Sequence, residues 1–285
     1  STRSVIFSAV AIFTFVPSAL SAQDGRPADS VNPFIGASTN VDAAGAYHGL
    51  GKTFPGAATP FGMVQVSPNT ITGGDNGSGY SYEHTTIEGF AMTQMSGVGW
   101  YGDLGNFFVM PTTGAGMKTI AGTADGSLPG YRSHYDKKTE TARAGYYSCL
   151  LTDYGVRAEC TATPHCGLLR FTYPENRVSR IQIDLARRVG GTSTEQSVRV
   201  VDSHTIEGYM VCTPEGGGWG NGDGKARYTV WFHARFSKPL EHYGFWTADI
   251  PSDWSRKRDD VVSRPYLERV AAARIVRDTV AMSGR

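Results

Sequence analysis

From Tyr131 onward, short runs of apolar, aromatic and β-branched residues recur between clusters of turn formers, and this spacing constrains the fold more than any other feature. Residues 146–152 and 156–163 flank Asp153, Tyr154 and Gly155, the pattern of a hairpin with a glycine-containing loop. Further runs at 166–173, 180–185, 197–202, 205–212 and 228–236 complete the series. The class they predict is all-β, an antiparallel β-sandwich, with a barrel as the other closed form. The 35 glycines and 11% aromatic content suit that class, because turns consume glycine and pleated, half-buried strands favour aromatic side chains. In VRAECTAT the alternation sets Val156, Ala158, Cys160 and Ala162 on one face, so Cys160 reads as a small core residue. Upstream, PFGMVQVSP at 60–68 reads as a strand with prolines at its ends, and residues 80–83 read as a short aromatic strand.

The stretch GVGWYGDLGNFFVMPTTG at 97–114 carries five glycines, an aromatic pair and one acid. Its glycines permit positive φ and close backbone approach, which places Trp100, Tyr101 and Asp103 on a tight loop. Residues 107–110 then read as a buried strand closed by Pro111, with a turn over 112–114. Two readings of Trp100 stand side by side. Its face packs on the C–H surface of a pyranose while Asp103 accepts from hydroxyls, or its indole plugs the core. Trp219, in PEGGGWGNGDGK at 214–225, carries the same pair of readings. That run has neither the Walker pattern nor a dinucleotide turn.

A net charge of +1, from 27 basic and 26 acidic residues without long runs of one sign, argues against a nucleic-acid or anionic-membrane surface and for a neutral substrate. Residues 1–22 read as a signal peptide: Arg3, an apolar run over 5–16, and small residues from Ser18 to Ala22, with cleavage after Ser21 or Ala22. The expected location is therefore exported, periplasmic or extracellular, with no transmembrane segment after signal removal. Four cysteines, Cys149, Cys160, Cys166 and Cys212, allow three disulfide pairings in such a compartment, and none has CxxC spacing. Residues 247–285 are charged, and Tyr266, Leu267, Val270, Ala271, Ala273 and Val276 share one face of a helix starting near Pro265. This reads as a helical insertion or linker following a sandwich over 23–246.

Glycoside hydrolysis uses two carboxyl groups about 5 to 10 Å apart, and no such pair declares itself. Asp103, Asp42, Glu83 and Glu88 read as turn or surface groups, and His48 as a solvated loop residue. The loop with Asp75 and Asn76 lacks calcium-loop spacing, the seven histidines lack metal spacing, and no GxSxG elbow is present. The sequence assigns no catalytic and no metal-binding residue.

Six ordered pieces, VNPFIG (31–36), FPGA (54–57), PFGMVQVSP, GYSYEH (79–84), the 97–114 stretch, and SHYD with GYY and DYGVRAECTAT, are similar to the N-terminal domain of the family 92 glycoside hydrolases, calcium-dependent exo-α-mannosidases. The likeness runs from Val31 to Phe245. It implies a β-sandwich followed by an α/α-toroid C-terminal domain, mannose from mannose-containing glycans such as N-glycans held between them, and hydrolysis with inversion. The acid, the base and most calcium ligands are then expected on the second domain, which this sequence lacks, so the chain alone is expected to be inactive. By motif, Trp100 would line the mannose subsite, with the main chain around Phe34, Phe61 and Gly62 near it. Asp103 and His134 would have structural roles. The starting Ser1 and the expectation of further strands beyond Arg285 read as a sequence cut short. The alternative is a free-standing carbohydrate-binding module without hydrolytic activity.

Overall fold

The computed structural model describes residues 26–38, 53–70, 78–95, 104–124, 126–175, 177–189, 191–213, 227–246 and 275–279. They form an antiparallel β-sandwich. One layer is a seven-stranded sheet in the spatial order Ala57–Ala58, Gln65–Asn69, Gly89–Ala91, Phe108–Thr113, Ser179–Asp184, Ile275–Thr279, His242–Trp246. Two meanders face it. The first joins Thr141–Arg143, Tyr146–Leu151, Val156–Ala162 and Gly167–Thr172, and the second joins Glu195–Asp202, Thr205–Cys212 and Tyr228–Arg235.

Side-chain alternation explains the layering. Phe90 pairs with Val109, and Val109 with Ile183, so these residues point to one face of the large sheet. Phe90 meets Phe171 of the first meander at 6.1 Å between ring centroids, and Phe107 meets Phe232 of the second at 4.5 Å. Both meanders thus pack on the same face, and burying each such aromatic removes apolar area worth about 1.5–3 kcal/mol. The opposite face carries Arg180, Gln182 and Asp184, and the chain leaving Thr113 covers it. The Arg180 guanidinium donates to the Gly114 and Gly116 carbonyls at 2.7 and 2.9 Å, Gln182 donates to the Lys118 carbonyl at 2.8 Å, and the Tyr131 hydroxyl donates to Asp184 at 2.7 Å.

The expected hairpin forms, with register from Tyr146↔Thr161 to Leu151↔Val156 and Gly155 at φ 66° in the turn. Val156, Ala158 and Cys160 are buried on its inner side. All four cysteines are free thiols; Cys149, Cys160 and Cys212 are buried and Cys166 is exposed.

Three local expectations are corrected. Pro111 does not close its strand; it lies within Phe108–Thr113, opposite Ile181. Pairing with Gly89–Ala91 is confined to Val109, so beyond that point no strand among the described residues pairs with that side, and a missing N–H costs no ladder bond there. Residues 80–83 are a turn rather than a strand, because side-chain contacts of Tyr80 and Tyr82 hold them. Of the expected C-terminal helix, only Ile275–Thr279 falls within the described residues, and it is a strand paired on both sides, with β-branched Ile275, Val276 and Thr279 suited to a pleat.

Candidate functional site

At one end of the sandwich, the described ends of several segments are tied to one another. Gln94 donates through its Nε2 to the Asn69 side-chain Oδ1 at 2.7 Å, joining residues just before 96–103 to those just before 71–77. The Thr70 N–H donates to the Gly79 carbonyl at 2.8 Å, closing the ends of 71–77 on each other. Gly79 and Gly105 have φ of 71° and 74°, and a Cβ there would lie 2.6 Å from Asn69 Nδ2 and 2.5 Å from Val189 Cγ2 respectively. Only glycine fits either position. The Leu104 N–H donates to the Tyr228 hydroxyl at 2.8 Å, the Val189 N–H to the Leu104 carbonyl at 2.9 Å, and Arg188 to the Thr213 carbonyl at 2.8 Å. These bonds bring together the ends of 96–103 and 214–226. The ends of 39–52 join the same region through Tyr82 N–H to Ala37 O at 3.0 Å and Ser38 to Glu83.

Leu104 and Phe107 sit at φ 64° and 55°, a conformation that costs a non-glycine residue about 1–3 kcal/mol and persists only where surrounding bonds enforce it. Asn106 supplies part of that enforcement. Its N–H donates to Thr93 Oγ1 at 2.9 Å, and its side chain reaches Cys212 Sγ at 3.4 Å. Trp100, Asp103, Trp219, Asp42, His48 and Asp75 lie outside the described residues.

Phe34 rests in a turn whose N–H donates to Asn32 Oδ1 at 3.0 Å, and its ring stands edge-on to Tyr82 at 5.5 Å. Tyr82 belongs to a cage around the Lys137 ammonium, which lies 4.1, 4.9 and 5.4 Å from the ring centroids of Tyr82, Tyr135 and Tyr80. Lys137 pairs with Glu140 at 2.8 Å, and the hydroxyls of Tyr80 and Tyr147 donate to the same carboxylate. Burial first, and the Glu140 charge among the further causes, push the Tyr80 hydroxyl far above its ordinary range, so it remains a neutral donor. The Phe34 platform is therefore fixed from beneath.

Phe61 and Gly62 share the tip of the hairpin joining Ala57–Ala58 to Gln65–Asn69. Phe61 has φ 57° and a fully exposed ring. A Cβ at Gly62 would lie 2.4 Å from Thr59 Oγ1, and the next residue's N–H donates to Pro164 O at 2.7 Å. This tip lies beyond the Gln65 end of the strand, whereas Phe34 joins the fold by way of Tyr82 and Thr70 at the Asn69 end. The structure thus unites Phe61 with Gly62 but sets Phe34 apart from them.

Several acids of the described residues are committed to protein partners. Glu88, expected on a turn or the surface, is wholly buried between Arg132, at 2.8 Å, and Arg187. Burial raises the Asp184 carboxyl even though Arg187 and Tyr131 oppose the shift. His134 Nδ1 meets Asp153 at 3.0 Å, fastening SHYD to the hairpin turn, which suits a structural role. Among the described residues no three His, Cys, Asp or Glu side chains are grouped to hold a metal, so these residues do not fit a calcium site. The buried arginines 132, 187 and 188 escaped the sequence reading. The signal was the pair Arg187 and Arg188 set between Leu185, Ala186 and Val189, where charge interrupts an apolar run.

The described strands define an all-antiparallel sandwich, and at one end of it Asn69, Gln94, Leu104 and Tyr228 are tied together by hydrogen bonds. Residues 30–272 match the glycosyl hydrolase family 92 N-terminal domain, and the chain belongs to that family. It is similar to the family GH92 alpha-mannosidase BT3965 from Bacteroides thetaiotaomicron, with 34% identity and a TM-score of 0.70 over 88% of this chain and 30% of that one. A structure of that enzyme with mannoimidazole matches at 33% identity and TM-score 0.69, with the same coverage of both chains. An uncharacterized secreted glycosidase from Arthroderma benhamiae is 31% identical over 126 residues, 44% of this chain and 16% of that protein. The chain spans less than a third of the length of these relatives. Among the described residues no helix is long and apolar enough to cross a membrane.

Proposed function

We propose that this chain is the N-terminal sandwich of an exported α-mannosidase that removes terminal α-linked mannose from glycans with inversion. The observation that carries the reading is the 34% identity to an alpha-mannosidase over 88% of this chain, supported by the bonds that bring Leu104 to Tyr228 and Gln94 to Asn69. On this reading the sandwich shapes one wall of the sugar subsite. The acid and base come from an α/α-toroid domain of the same polypeptide, which suits a sandwich in which Glu88, Glu140 and Glu159 are bonded to protein partners. Calcium is assigned to that domain as well. When bound there it would polarise sugar oxygens, while the residues of this chain orient the ring and exclude water.

The test assays the 285-residue chain and the longer polypeptide on an aryl α-mannoside with calcium. Turnover by the longer polypeptide alone is expected. Robust hydrolysis by the 285-residue chain, abolished by one internal acidic substitution, would overturn the reading.

One observation favours a second reading, a free-standing carbohydrate-binding module. Trp231 is 73% exposed on the outer face of its sheet and packs against Tyr209 at 4.7 Å with the rings tilted by 48°, a platform for a pyranose. Saturable mannan binding by the 285-residue chain that disappears in Trp231→Ala, with no mannosidase encoded at the locus, would select it.

A further inference from the structure

The layer facing the large sheet is split. Its first meander ends on Gly167–Thr172 and its second on Tyr228–Arg235, and among the described residues no strand pairs with the outer edge of either. Both edges line a single cavity of about 590 Å³. Its floor is the large sheet's inner face at Val109, Ile181 and Ile183. The slot therefore combines an apolar floor with two rows of backbone N–H and C=O groups that no strand among the described residues pairs.

We infer that this slot takes one extended β-strand of the same polypeptide from beyond Arg285, an inference that rests on the proposal that the chain is part of a longer mannosidase. Only a strand satisfies everything the slot offers. It would hydrogen-bond along both edges while its alternate side chains point down onto Val109, Ile181 and Ile183. A helix, about 10–12 Å across with its side chains and with its backbone groups bonded internally, would leave both edges unpaired. The edges are 6 and 8 residues long, so the occupant is a strand of roughly 20 Å with apolar residues at alternate positions. Two observations favour the same polypeptide as its source. The solved relatives carry more than two thirds of their length outside the part matched here. The last described strand, Ile275–Thr279, pairs with Ser179–Asp184 in the register Ile181↔Asp278 and Ile183↔Val276, so the chain leaves the described fold beside the slot's floor. Once filled, the two meanders become one continuous sheet, and the sandwich is sealed by the domain it serves.

Amide hydrogen exchange on the 285-residue chain and on the longer polypeptide tests this. Outward-facing amides of 167–172 and 228–235 are expected to exchange at least about a hundredfold more slowly in the longer polypeptide, while those of 156–162, already paired on both sides, change little. A longer polypeptide that hydrolyses the aryl α-mannoside yet leaves both edges exchanging rapidly overturns the slot assignment and spares the mannosidase reading. A reading frame that stops at Arg285 overturns both. Protection already present in the 285-residue chain and rising with its concentration gives the slot to a second copy, and the assignment to the same polypeptide fails.

Discussion

Leu104 and Tyr228, 124 residues apart, are joined by a 2.8 Å hydrogen bond from the Leu104 N–H to the Tyr228 hydroxyl. The donor residue sits at φ 64°, so the bond holds a strained backbone as well as linking two distant segments. Tyr228→Phe removes the acceptor and leaves a partly buried donor, which should cost about 1–2 kcal/mol of stability. On the mannosidase reading, KM should also rise, because Leu104, next to Asp103, loses its tie to Tyr228. Thermal unfolding and kinetics of the longer polypeptide check both, and an unchanged KM would detach this rim from the sugar.

Trp100 separates the sugar-wall reading from the core-plug reading at one residue. In the longer polypeptide, Trp100→Ala should reduce activity much more than stability, losing a ring contact worth on the order of 1 kcal/mol in binding. A core plug would instead cost about 3–5 kcal/mol of folding stability. Denaturant unfolding and kcat/KM on the same variant decide between them. A large stability loss with normal catalysis by the folded fraction removes Trp100 from the site.

Glu88 holds two buried guanidiniums, those of Arg132 and Arg187, with no solvent access of its own. Glu88→Ala should cost about 3–5 kcal/mol, since it strands both cations in the interior. Urea unfolding measures this directly. A cost under about 1 kcal/mol would mean that water or an anion reaches the arginines.

Much of this architecture was legible because its signals are local. The hairpin around Gly155 and the inward alternation of Val156, Ala158 and Cys160 follow from a period of two and a turn residue, both visible in a short window. Glu88 was misread because its partners lie 44 and 99 residues away, and nothing near it announces them. Pro111 was misread because its tolerance depends on where a neighbouring strand stops. The tyrosines at 80 and 82 suggest a strand by composition, yet a lysine more than fifty residues on fixes them as a turn. That Leu104 meets Tyr228 and Gln94 meets Asn69 is a property of topology that no short window announces.

Glu159 offers a pH signature. Arg170 donates to both of its carboxylate oxygens, at 2.7 and 2.6 Å, and with Tyr146 holds its pKa at about 2 against an ordinary 4.5. A depressed pKa means that the contribution is complete above about pH 4.5 and is lost as pH falls toward 2. Melting temperature followed from pH 6 down to 2 should therefore fall more steeply for the wild type than for Glu159→Gln. Arg170 is largely exposed, so the difference should be small and should shrink further in high salt. Parallel curves would show that the ion pair contributes nothing.

The strand order has a consequence for synthesis. Each meander joins only sequence neighbours, so the one spanning 141–172 is whole as soon as its last strand has left the ribosome, and the one spanning 195–235 follows soon after. The large sheet cannot be completed then, because the partner on the far side of Ser179–Asp184 is Ile275–Thr279. Pairing of low sequence separation forms early and long-range pairing late. Nascent chains should thus carry two formed meanders over an unfinished floor, an interval in which apolar surface is open to chaperones, and pulsed exchange on stalled ribosomes should find 146–162 protected while the amides of 179–184 that face Ile275–Thr279 are not.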